Sequence, residues 1–142
     1  MYVSVDEFSG MDTSGTNGSG AIVQSNVGRG NSGIDTSSAV GLSAFGDSAN
    51  AAYSYAGKQN SSTFTPHASN GGYTELCDII VTTPNDSRFQ TQWNTGSDTS
   101  VSTSWTGATN YISGAVEIKN GVPEGVFPTI LRAGQGYRAG SF

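Results

Sequence analysis

Two segments constrain the fold more than any others in this chain. Residues 88–94, RFQTQWN, place Phe89, Thr91 and Trp93 on one side and Arg88, Gln90, Gln92 and Asn94 on the other. Residues 99–106 repeat the logic, with Val101, Thr103 and Trp105 opposed to Ser100, Ser102 and Ser104. A period of two turns successive side chains to opposite faces of a strand, whereas a helical face recurs every three to four residues. Both segments therefore predict strands, apolar side inward and amide or hydroxyl side outward. Thr95-Gly96-Ser97-Asp98 between them is turn chemistry.

The remaining segments fit the same scheme. Residues 1–8, MYVSVDEF, oppose Val3 and Val5 to Ser4 and Asp6, predicting a strand that starts at the first residue. Strands are also expected over 21–27, over 37–46 with Val40, Leu42 and Ala44 on one face, over 51–56, and over 73–82. In 111–119 the pattern turns Ile112, Val116 and Ile118 inward and Ser113 and Glu117 outward. Gly, Ser, Thr and Asn supply 20, 21, 15 and 10 of the 142 residues, against three Leu and two Met. Such a chain is rich in strand and turn formers and poor in helix formers. Two Trp, six Tyr and six Phe argue against disorder. The expectation is an all-β antiparallel β-sandwich, jelly-roll or Ig-like, of about eight short strands spanning 1–119. After Lys119 the alternation stops. Residues 120–142 carry Pro123, Pro128 and five Gly and read as an extended C-terminal arm.

Little here suggests chemistry. Gly28-Arg29-Gly30-Asn31-Ser32-Gly33 matches the dinucleotide fingerprint, but no helical period follows it to present an N-terminus to a pyrophosphate, so it reads as a turn. The lone histidine, His67, lies in a polar loop and is expected to be exposed; no G-x-S-x-G elbow surrounds any serine. Asp6 and Glu7 fall on opposite faces of their strand, so a facing carboxylate pair is not indicated. Asp47 with Asn50, and Asp86 with Asn85, are the calcium candidates, without EF-hand order. No metal site and no cofactor are expected. One cysteine, Cys77, excludes an internal disulfide and reads as a buried thiol in the apolar run 76–81. A net charge of −5 argues against a grip on nucleic-acid phosphates. No stretch is apolar enough for a membrane span and Met1 opens no signal peptide, so export is expected by lysis or within a longer chain. The sequons at Asn17, Asn60 and Asn85 are no more than this composition generates by chance.

The runs VDEFSGMDTS (5–14), FTPHASNGGYTELCD (64–78), RFQTQW (88–93) and NYISGAVEIK (110–119) resemble β-sandwich modules that recur in bacterial surface proteins and phage structural proteins. Such modules often carry further strands ahead of the first of these runs. The resemblance implies a virion, extracellular or cell-surface location and a role in binding or scaffolding rather than catalysis. It transfers no functional residues.

Two functions are therefore expected in order. The first is a non-enzymatic structural protein, a capsid decoration or tail-associated piece, docking onto subunits of its own assembly as a homo-oligomer or on a capsid or tail lattice. Its contacts would be the arm residues Phe127, Ile130 and Leu131 as apolar anchors, with Arg132 and Arg138. The alternative is a carbohydrate-binding module whose exposed aromatics, Tyr53, Tyr55 and Tyr111, stack on surface glycans.

Overall fold

The computed structural model describes residues 3–67, 72–82 and 86–121. A short 3-10 turn, Thr16–Ala21, precedes six strands: β1 Ile22–Gly41, β2 Ala51–Lys58, β3 Phe64–Thr65, β4 Thr74–Val81, β5 Ser87–Thr95 and β6 Ser100–Ile118. All pairings are antiparallel. The order is β1-β6-β2-β5-β4, with β3 on β6. The fold is all-β, as the alternation predicts, but the strands are differently divided.

The expected segments 21–27 and 37–46 belong largely to one strand, β1, and 99–106 and 111–119 largely to another, β6. β1 and β6 pair along their length with register shifts between Gly30 and Ser37. The glycines read as a turn at 28–33 bend this ladder without ending it. Gly33 has a positive φ, and a Cβ on Gly30 would collide with the Asp35 carboxylate and the Tyr111 ring. Trp105 Nε1 donates to Asp35 O at 3.1 Å and fixes the bend.

The bend folds the ladder onto itself. Asn26 Nδ2 donates to Gly41 O at 2.8 Å, and the Gln24 amide bonds both the N–H and the C=O of Ser43, at 2.8 and 3.0 Å. One layer thus holds the first arm of β1, the second arm of β6, β2, β5 and β4. The other holds the second arm of β1, the first arm of β6, and β3. Between them lie Val40, Ala52, Tyr73, Val101 and Ala115, and then Ala56, Phe64 and Trp105 with Tyr111 against them. Alanines on the first layer let the large side chains of the second approach closely.

Much of this interior is polar. Gln90, Gln92 and Glu117 are buried, whereas Phe89 and Trp93 are half-buried on the opposite face. The expected orientation is reversed for Phe89, Trp93, Gln90 and Gln92 of β5 and for the last part of β6 at Ile112, which is exposed, and at Ser113 and Glu117, which are inside, whereas Thr91 and Ile118 are buried as expected. The second layer covers the face on which Ala52, Ser54 and Ala56 lie, and register puts Gln92 opposite Ser54 and Gln90 opposite Ala56. Alternation sorts side chains into two sets; the covering layer decides which set is inside.

Residues 3–8 form no strand. Asn120 bridges to Met11 and Gly121 N–H donates to Gly10 O at 2.8 Å, so the start of the expected arm is stitched to the N-terminal segment. Phe127, Ile130, Leu131, Arg132 and Arg138 lie outside the described residues.

Candidate functional site

The outer face of the larger layer is built from register. Arg29, Ile112, Gly57, Phe89 and Ile79 form one row across the strands, and Val27, Gly114, Tyr55, Thr91 and Cys77 the next. A third runs from Ser25 through Val116 and Tyr53 to Trp93. Cys77 is therefore half-buried on this face, not in the core.

The N-terminal segment roofs the third row. Phe8 sits edge-on to Tyr53 and to Trp93, both at 5.6 Å between ring centroids. Asp6 accepts the Tyr53 hydroxyl at 2.8 Å. Burial, and then that carboxylate, push the Tyr53 pKa up. Away from this roof the face is open, with Val27 68% and Ile112 56% exposed. Tyr55 stacks with Phe89 at 6.4 Å and lies over Gly114, where a Cβ would stand 2.5 Å from its ring. Tyr111 points the other way and packs on Trp105 at 5.4 Å. The three tyrosines expected together are split: Tyr53 under Phe8, Tyr55 on the outer face, and Tyr111 inward.

Beyond Ile112 the outer face runs into a cavity of about 520 Å³ lined by Asn31, Gly57, Gln59, Phe89, Asn110 and Ile112, among others. Lys58, at its margin, is only 4% exposed. Its ammonium donates to Asn60 O at 3.2 Å and Ser62 Oγ at 2.9 Å, and also to Asn60 Oδ1 and Ser62 O. It stands 4.9 Å from the centre of the Phe64 ring. Burial first, and the Arg88 charge next, lower its pKa to about 8; Asp78 acts in the opposite direction.

His67 is not exposed. Its Nδ1 lies 2.7 Å from Ser102 Oγ and its Nε2 3.0 Å from an Asp98 carboxylate oxygen. Its backbone N–H donates to Gln92 Oε1 at 3.0 Å, and its C=O accepts from Tyr73 N–H at 2.9 Å. Carboxylate, imidazole and hydroxyl thus stand in line, joining the chain after β3 to the start of β6 and to Tyr73. Sequence reasoning missed this because only the β3–β6 register, Phe64 opposite Trp105, sets His67 against Ser102. Of the calcium candidates, Asn50 is committed to Glu117 and to Asn120 N–H, and Asp47 to Ala49 N–H. Asp86 accepts from Ser61, while Asn85 lies outside the described residues. Among the described residues no group of three metal-type ligands forms, and no helix is long and apolar enough to cross a membrane.

The class that this geometry defines is an all-β protein whose single antiparallel sheet folds over into two layers, with one aromatic outer face part-roofed and part-open. The chain matches no protein-family model, no curated protein and no solved structure in the comparisons made.

Proposed function

We propose that this chain is a non-enzymatic structural subunit of a virion or extracellular assembly and works by docking onto further subunits. One observation carries the reading: the open half of the outer face exposes Val27 and Ile112 side by side with Arg29 on a rigid five-stranded layer. Contiguous apolar surface rimmed by polar groups marks contact sites more often than it is tolerated idle. The resemblance of 5–14, 64–78, 88–93 and 110–119 to surface and phage β-sandwich modules supports the same role. Residues 120–142, with Phe127, Ile130, Leu131, Arg132 and Arg138, form the second contact element in this reading.

Sedimentation of the full chain tests it. The wild type is expected to form species above the monomer, and Val27→Asp, a substitution on an exposed site, to return it to monomer. Removal of residues 120–142 is expected to do the same. Equal sedimentation of wild type and Val27→Asp would remove the outer face from the proposal, and unchanged assembly of the truncated chain would remove the arm.

A further inference from the structure

The cavity beside Ile112 has a chemistry that docking does not use. Its floor is Gly57: a Cβ placed there would touch Ile112 Cγ2 and Phe89 Cδ2, each at 3.6 Å, so the missing side chain is what keeps the space open. One wall is thus aromatic and the other aliphatic. The remaining lining includes the side-chain amides of Asn31, Gln59 and Asn110. Asn110 Nδ2 donates to Gln59 Oε1 at 3.0 Å, which fixes the two amides relative to each other. Asn110 Oδ1 is buried without a hydrogen-bond partner. Among the described residues, the ionisable groups on the lining are Lys58, whose ammonium is committed to Asn60 and Ser62, and the Tyr111 phenol, so the ligand that this lining suits is uncharged. The volume, about 520 Å³, lies in the range of small-ligand sites.

We propose that this cavity binds a neutral saccharide. A pyranose offers a C–H face to an apolar wall and, at its edge, adjacent hydroxyls that donate and accept at once. Planar amides, each with one acceptor and two donors, match such hydroxyl pairs. The site takes in Tyr111 of the three tyrosines and shares Ile112 with the docking face, while Val27 lies outside its lining and separates the two readings.

The test is a titration of the full chain with uncharged oligosaccharides (cellohexaose, chitohexaose, mannohexaose and a β-galactan fragment), followed by amide and methyl NMR. At least one is expected to shift the side-chain amides of Gln59 and Asn110 and the Ile112 methyls, with a Kd of roughly 1 mM or tighter. Gln59→Ala, on an exposed side chain, and Gly57→Val, which fills the floor, are each expected to weaken binding about tenfold. Polygalacturonate, which is anionic, is expected not to compete. Val27→Asp is expected to bind the sugar as the wild type does, which separates this site from the docking face. The proposal falls if none of the four sugars moves those signals at about 10 mM, or if binding survives both Gln59→Ala and Gly57→Val.

Discussion

Glu117 is the residue on which most converges. Its side chain is wholly buried, and its carboxylate accepts from Gln24 Nε2 and Asn50 Nδ2, both at 2.6 Å. Gln24 in turn holds Ser43, and Asn50 holds Asn120, so one carboxylate ties the fold-back of β1 to both ends of the chain seam. Glu117→Gln would keep one acceptor oxygen and set its NH2 against one of the two donor amides. A loss of about 2–4 kcal/mol is expected, because buried groups left unpaired cost their full desolvation. It reads as a lower urea midpoint at unchanged slope. Lys58 makes a pH prediction. Its pKa falls from 10.5 to about 8 on folding, so the unfolded chain holds the extra proton between those values and stability rises with pH across that window. Thermal melts taken from about pH 7 to about pH 9.5 should show the rise in wild type and not in Lys58→Met; equal slopes would refute it. At His67, Ser102→Ala should leave p-nitrophenyl acetate turnover at the wild-type background. A serine-dependent rate would overturn the non-enzymatic reading.

At the scale of elements, the bend in β1 and β6 does the most. Twenty residues of β1 run at about 3.3 Å each, far longer than one layer needs. Glycines without side chains let the ladder turn over where Asp35 and Tyr111 crowd in. Gly30→Ala would drive a methyl into the Tyr111 ring, which is already packed on Trp105. The expected cost is about 1–3 kcal/mol, measured by chemical denaturation. The same bend explains why the alternation predicts two separate strands for each of these elements: the sequence has turn residues there, but a kinked ladder and a turn use the same glycines. Residues 3–8 show the converse. Their alternation is real, with Ser4, Asp6 and Phe8 more buried than Val3 and Val5, yet they lie over Tyr53 and Trp93 without joining a ladder.

For the whole molecule, the folded-over sheet has two unlike surfaces. Its inside is closed by polar links as much as by grease: Gln92 to Ser54 at 2.9 Å, Ser38 to Thr103 at 3.0 Å, and Arg88 to both Asp78 oxygens. The aromatics are divided: Phe64, Tyr73 and Trp105 lie inside, and Tyr53, Tyr55, Phe89 and Trp93 on the outer face. The proposed docking would cover the open part of that outer face, and the sedimentation of Val27→Asp is the measurement that decides it.

The sequence by itself determined that this chain is all-β and antiparallel, and which side chains share a face. Both follow from period-two alternation and from a composition of strand and turn formers, which are local properties. Only the tertiary structure decided which face is inside, that β1 and β6 are each one bent strand, and that His67, Ser102 and Asp98 meet. Those depend on register between strands far apart in the chain and on what covers each face. No local pattern encodes either, because Gln90 and Phe89 alternate identically whichever of them is buried.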